Sequence, residues 1–179
     1  MKAIFTTSYK SPVGELLLGT FEEQLCLCDW KYRKMRSSID ERIKKGLQAN
    51  FENGESELAK ETIRQLEAYF AGELSTFDIP LMPVGTDFQK EVWKKLTEIP
   101  FGETRSYLQL SKDLGNPDAI RAVASANGAN AISILIPCHR IIGSDGSLVG
   151  YAGGIEAKKK LLKLENAEIQ TDKAQLNFF

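Results

Sequence analysis

The stretch Ile134-Leu135-Ile136-Pro137-Cys138-His139-Arg140-Ile141-Ile142 constrains this chain more than any other. It sets a cysteine, the only histidine and an arginine side by side between two apolar runs. Apolar flanks of this kind read as a buried strand or a wall of the core. Polar groups are costly in such a place unless they are partnered. Three adjacent ionisable side chains there point to chemistry. The plain alternative is a structural cysteine beside a satisfied histidine.

The rest of the composition narrows the classes. At 179 residues the chain has length for one good core or two small ones. Its 42% hydrophobic and 26% charged content is that of a globular protein, without a membrane-spanning apolar run. Met1 to Thr7 lacks the apolar stretch of a signal peptide. Three cysteines, Cys26, Cys28 and Cys138, are an odd count, so reduced thiols and a cytoplasmic location are expected. Cys26 and Cys28 lie two apart in an alternating segment and are expected on one face of a strand. A metal site there lacks further ligands, so neither metal nor cofactor is expected. A net charge of −1 does not announce a nucleic-acid binder, and any such role must rest on local geometry.

Residues 2–9 and 13–20 are strand-like around a Ser11-Pro12-Val13-Gly14 turn, and Leu25 to Trp30 is a third strand of an antiparallel meander. Lys31 to Asn53 is charged and weakly patterned, and Lys31 to Arg36 at its start reads as a solvated loop or a basic patch, the loop before the patch. From Ser56 a helix begins, with Ala59, Ile63, Leu66, Tyr69 and Phe70 on one face and Gly72 as its stop. Nothing in this small α+β unit looks catalytic. Ser75 to Gly85, with two prolines, is a linker. The spacing thus divides the chain into domains at 1–82 and 83–167, with a tail at 168–179.

The second half is helical. Thr86-Asp87-Phe88-Gln89 is a capping box, followed by Phe88, Val92, Leu96 and Ile99 at helical spacing up to Pro100. Ser106-Tyr107-Leu108-Gln109 is a second capping box, opening a short helix that closes at Leu114-Gly115. Asn116 and Pro117 read as N-cap and N1 of the next helix, about Pro117 to Asn127. Two short helices on a tight glycine turn form a helix-turn-helix pattern. Ile120, Val123, Ala124 and Asn127 are expected towards the core, leaving Arg121, Ala122 and Ser125 outside. That small-residue surface can approach a groove closely, and one long cation can enter a base stack. The alternative is an alanine-rich packing helix with one solvated arginine. Gly143 to Gly154 is a glycine-rich loop around Tyr151. In the last helix Glu165 shares a face with Leu161 and Leu162, so its carboxylate needs a partner: His139, an arginine or a helix cap.

Together these residues carry a resemblance. Pro137-Cys138-His139-Arg140-Ile141-Ile142, with Asn130 upstream and Tyr151-Ala152-Gly153-Gly154 downstream, is similar to the O6-alkylguanine-DNA alkyltransferases, the methylated-DNA–protein-cysteine methyltransferase family. The match runs from Thr86 through Phe101-Gly102-Glu103-Thr104 and Arg121-Ala122-Val123 to Glu165. The resemblance implies an α+β architecture: a small N-terminal ribonuclease-H-like α/β domain with an antiparallel sheet, then a mostly helical, winged-helix-like domain with a helix-turn-helix. It implies a monomer acting once on double-stranded DNA containing O6-alkylguanine, with O4-alkylthymine a second substrate that the residues do not decide. The helix-turn-helix binds on the minor-groove side, the damaged base is flipped out, and Cys138 takes the alkyl group irreversibly. In this scheme His139 is the base, acting through a water, and Glu165 orients it. Asn130 braces the turn holding Cys138, and Tyr107 donates to the guanine or helps rotate its phosphate. Arg121 fills the gap left by the flipped nucleotide, with Ala122 and Ser125 beside it on the DNA-binding face. Pro137, Tyr151, Ala152 and Gly153 form the substrate pocket.

Some positions depart from the family pattern. Ala152 stands where some members have a hydroxyl, which removes a side-chain contact to O6. Ala131 stands where proline often follows the asparagine, which leaves that loop less rigid. The zinc-binding N-terminus of some relatives is not expected, because the one histidine is already used. Cys138 separates the chain from a branch that lacks the cysteine and only binds lesions. Two further readings remain: a thiol hydrolase built on Cys138, His139 and Glu165, and a non-catalytic DNA-binding module.

Overall fold

The computed structural model describes residues 1–168. Most of the expected tail, Asn177-Phe178-Phe179 included, lies outside the described residues. Strands β1 (Lys2–Ser11), β2 (Gly14–Phe21) and β3 (Gln24–Trp30) form the antiparallel meander. The segment Lys31 to Asn53 is a loop only at its start, up to Met35. It holds helix α1 (Arg36–Leu47) and strand β4 (Ala49–Asn53). The apolar face of α1 is carried mainly by Ile39 and Ile43, which are four residues apart and both buried. Two buried residues in a helix of 12 leave little periodicity to read. β4 pairs parallel with β1, from Lys2 opposite Ala49 to Thr6 opposite Asn53. The sheet is therefore mixed, in the order β3-β2-β1-β4.

The two faces of this sheet serve different cores. On one, Ile4 and Leu27 pack with Ile39 and Ile43 of α1. On the other, Leu16, Leu18 and Leu25 pack with Leu66 and Tyr69 of helix α2 (Glu57–Phe70) and continue into the second half of the chain. Ser56 caps α2 by accepting from the Ala59 amide at 3.0 Å. A bulge in β3 overturns one expectation: Thr20 faces Leu25 and Gly19 faces Leu27, so Cys26 is the extra residue. Cys26 then turns to the α1 side and Cys28 to the α2 side.

The proline-rich linker is tied to the sheet. The Leu25 amide donates to Pro80 O and the Met82 amide to Leu25 O, both at 2.8 Å. Helices α3 (Asp87–Thr97) and α4 (Tyr107–Asp113) each start on a complete capping box, Thr86 with Gln89 and Ser106 with Gln109. Helix α5 (Ile120–Gly128) starts three residues later than Pro117. Asn116 and Pro117 are not its N-cap and N1. They lie in a turn closed by the Ala119 amide on Asn116 O at 3.1 Å. Ile120 and Phe88 are exposed rather than buried, each in its helix's first turn. The core side of α5 is Val123, Ala126 and Asn127, and Trp93 Nε1 of α3 donates to Ala126 O at 2.8 Å. A short parallel pair, β5 (Arg105–Ser106) with β6 (Ile141–Ile142), and helix α6 (Ile155–Leu164) complete the second half. Among the described residues no helix is long and apolar enough to cross a membrane.

Candidate active site

The apolar stretch that dominates the sequence is buried throughout from Asn130 to Ile141, but it is not a strand. It is a succession of tight turns ending in a 3-10 turn at Cys138–Arg140. Ile134 has a φ of 73° while the Leu135 amide donates across it to Ser133 O at 2.9 Å. That is a γ-turn of the rarer, positive-φ kind, strained for a β-branched residue. Such a conformation persists only where its surroundings over-determine it. Asn130 supplies one constraint. Its Nδ2 donates to Ile136 O at 2.9 Å, and its Oδ1 accepts from the Ile132 amide at 3.0 Å. The short side chain thus spans the turn that leads to Cys138.

The first half of the chain supplies the other constraints. The Cys28 amide donates to Ala131 O at 2.9 Å, and the Ser133 amide returns a bond to Cys28 O at 2.7 Å, which extends the edge of β3. Next to this bridge lies Asp29, fully buried. Its carboxylate accepts from Arg33 and Arg36, both at 3.0 Å, and from Ser133 Oγ at 3.2 Å. Arg33 also donates to Gly128 O at 2.6 Å and Asn130 O at 3.2 Å. A buried carboxylate survives only when paired and hydrogen-bonded; here the ion pairs lie within the first half, and Ser133 and Arg33 carry the network across to the second.

Behind Cys138 stands a second buried network. His139 Nε2 lies 2.8 Å from Glu165 Oε1. Arg140 donates to Glu165 through Nε at 2.9 Å and Nη2 at 3.0 Å, in a two-pronged contact. Tyr69 of α2 donates to the same carboxylate at 2.7 Å. Arg140 also donates to Ile99 O, just past the end of α3, at 2.6 Å. Both partners that the sequence offered for Glu165, the histidine and an arginine, are present together. Burial works against ionisation of Glu165, but the hydrogen bonds from His139 and Arg140 outweigh it and bring its pKa down to about 2. Burial pushes the imidazole's pKa below its ordinary value in spite of Glu165, so His139 rests neutral. Burial pushes the Cys138 thiol up, against a hydrogen bond from Asn130. The resting site is therefore a neutral thiol, a neutral imidazole and a carboxylate. His139 Nδ1 is buried without a protein partner among the described residues.

A cleft of about 540 Å³ reaches Cys138. Tyr107, Ser125, Tyr151 and Ala152 line it, as do Arg33 and Arg42 of the first half. The start of α4 and the outer side of α5 thus open onto the same space as the thiol. Arg121 and Ala122 are exposed on α5 but do not line the cleft. Two residues expected in the substrate pocket do not line this cleft. Pro137 lies at the head of the 3-10 turn, where the chain reverses, and lines a second cleft with Leu135 and Arg140. Gly153 is set against the ring of Trp30.

Several residues at the site escaped the sequence reading. Asp29, Trp30, Arg33 and Tyr69 all come from the half that looked inert, and contacts across the fold leave no local signal. Lys158 is different. It lies on the Leu161, Leu162 and Glu165 face of α6, so the periodicity that singled out Glu165 also reaches it. Lys158 is fully buried, and its ammonium donates to Ile141 O at 2.5 Å and Val149 O at 3.2 Å. It ties the strand after the cysteine turn to the start of the tyrosine loop. Burial lowers its pKa to about 8. Among the described residues no group of three or more His, Cys, Asp or Glu is placed to hold a metal ion.

Fold and site together define a two-domain protein with a buried, histidine-backed thiol opening onto a helix-turn-helix. Residues 4–83 match the family model for the ribonuclease-like domain of 6-O-methylguanine DNA methyltransferase, and residues 87–167 match that for its DNA-binding domain. A methylated-DNA–protein-cysteine methyltransferase of Methanosarcina acetivorans is 47% identical over 159 residues, covering 89% of this chain and 96% of the relative. One from Mycobacterium leprae is 42% identical over 171 residues, covering 94% and 96%. The crystal structure of Mycobacterium tuberculosis OGT in complex with DNA superposes with a TM-score of 0.76 at 41% identity, covering 92% of each chain. This chain belongs to the 6-O-methylguanine DNA methyltransferase family.

Proposed function

We propose that this protein repairs O6-alkylguanine in duplex DNA by moving the alkyl group, once and irreversibly, onto Cys138. The observation that carries this reading is the shared cleft: the thiol, Tyr107 and the outer side of α5 border one space, with the His139–Glu165 pair behind it. An alkyl group stacked within a duplex is out of a thiol's reach, so the nucleotide must be extruded. Arg121, exposed on α5 with Ala122 and Ser125, fills the gap that the extruded base leaves.

The thiolate is the nucleophile, and burial keeps Cys138 protonated at rest, so a base is required. Neighbouring side chains in the turn diverge. His139 Nδ1, the ring nitrogen without a protein partner, takes the thiol proton through one water. The other ring nitrogen faces Glu165, whose carboxylate stabilises the imidazolium that forms. The sulfur then attacks the alkyl carbon. The carbon–O6 bond breaks with its electron pair on oxygen, and a thioether forms. Tyr107, whose hydroxyl burial keeps protonated, donates to the leaving guanine. Asn130 holds the turn, and Tyr151 and the backbone at Ala152 bound the base. Nothing in this scheme removes the alkyl group from sulfur. We take residues 1–82 as the positioning domain and 83–167 as the reacting one. The protein acts as a single chain, in a reducing compartment such as the cytoplasm, in keeping with its three free thiols.

Stoichiometry tests the reading. With excess duplex carrying one labelled O6-methylguanine, label on the protein is expected to level off at one methyl per chain. Continued release of methanol or repeated turnover points instead to a thiol hydrolase. Binding to the damaged duplex with no label transferred points to a lesion-binding module.

A further inference from the structure

Trp30, at the end of β3, does not line the cleft, yet it touches the loop that carries Tyr151. Its indole is 5% exposed and lies between two glycines from distant parts of the chain. A Cβ at Gly153 would stand 2.4 Å from Trp30 Cε2, and one at Gly14 would stand 3.2 Å from Cζ3. The β1–β2 turn and the tyrosine loop have both given up a side chain to this ring. Tyr151 meets it edge-on, with centroids 5.7 Å apart, and meets His139 edge-on from the other side at 6.5 Å. Trp30 Nε1 and the Tyr151 hydroxyl are both buried, and neither completes a hydrogen bond among the described residues. Buried polar groups of this kind are stabilised once paired.

We propose that Trp30 is a specificity-determining residue of this site: it is the stop against which Tyr151 to Gly153 rest, and it fixes how wide an O6-alkyl group the cleft admits. The inference builds on the alkyl transfer proposed above. Tyr151 and Ala152 line the cleft that Cys138 opens into, and Trp30 stands behind them. A smaller residue at position 30 gives Tyr151 room to retreat. A side chain at position 153 pushes the loop off the ring. A pocket wall displaced by a methylene or two changes discrimination by roughly 10- to 200-fold.

The test is the ratio of single-turnover rates on duplexes carrying O6-benzylguanine and O6-methylguanine. Trp30→Leu is expected to raise the benzyl-to-methyl ratio about tenfold, by admitting the wider group more readily. Gly153→Ala, in the loop itself, is expected to slow methyl transfer about tenfold in the parent and about threefold or less in the Trp30→Leu background, because the clash is gone there. A merely structural tryptophan lowers both rates together and leaves their ratio unchanged. An unchanged ratio, or an equal Gly153→Ala loss on both backgrounds, overturns the inference while the repair function stands. No transfer from either duplex to the parent protein overturns both.

Discussion

Glu165→Gln is expected to destabilise the protein by about 3–5 kcal/mol and to slow alkyl transfer by about a hundredfold or more. The carboxylate is 1% exposed and serves three donors at once: His139, the two-pronged Arg140 and Tyr69. An amide in its place keeps the shape but removes the charge. The buried guanidinium of Arg140 is then left without a counter-ion, which is the costly way to break such a pair. The imidazolium that forms when His139 takes the thiol proton loses its stabilising partner as well. Urea unfolding with an unchanged slope reads the first effect, and single-turnover transfer at a temperature where the variant is folded reads the second. A variant that loses stability but keeps its rate would reduce Glu165 to a structural role. The same carboxylate sets an acid limit. Its pKa falls from the ordinary range to about 2 on folding, so its contribution to stability is complete above about pH 4.5 and is lost as pH drops towards 2. His139 acts in the same direction. Its folded-state pKa is lowered, so protonation below about pH 6.5 favours the unfolded chain.

Asp29→Asn has the second largest expected effect, although the residue is remote from any substrate. Its carboxylate is fully buried and holds Arg33, Arg36 and Ser133. Arg36 keeps a second partner in Asp40, so the lower end of the range applies, about 3 kcal/mol. With one acceptor oxygen in place of two, Arg33, Arg36 and Ser133 compete for it, and a weakened Ser133 contact loosens the strained turn at Ile134, four residues before the nucleophile. A shift of about an ångström in a reacting group costs on the order of a hundredfold in rate. Asp29→Asn is therefore expected to slow transfer even under conditions where it is fully folded. Equal rates for the folded variant and the parent would show that the Asp29 cluster serves stability alone.

The two halves differ in how much of them the sequence discloses, and the reason is physical. The second half is built from local signals. Two capping boxes, a glycine between short helices and a carboxylate on an apolar stripe each act within one or two turns of chain, and each can be read directly. The first half depends on contacts far apart in sequence. α1 buries only Ile39 and Ile43, and β4 is recruited by pairing in parallel with β1, so neither leaves a pattern of its own. The bulge at Cys26 inverts the face of every residue after it, which alternation alone does not foresee. At the site, the His139–Glu165 and Arg140–Glu165 pairs follow from the shortage of partners for a buried carboxylate. Asp29, Trp30 and Tyr69 have no such signature. Asp29 looks like any charged residue at a strand end, and its partners Arg33 and Arg36 look like part of a solvated basic run. The resemblance puts Pro137 and Gly153 in the pocket; in the structure Pro137 heads the 3-10 turn and Gly153 packs on Trp30, positions that local sequence does not foretell.

The central claim is that Cys138 itself keeps the alkyl group. The most direct measurement is intact-protein mass after incubation with a duplex carrying one O6-methylguanine, followed by peptide mapping. The account predicts a gain of one methyl per chain, carried on the peptide containing Cys138 and absent from Cys138→Ala. A methyl found on Cys26 or Cys28, or a mass unchanged after the lesion has disappeared from the DNA, would contradict it.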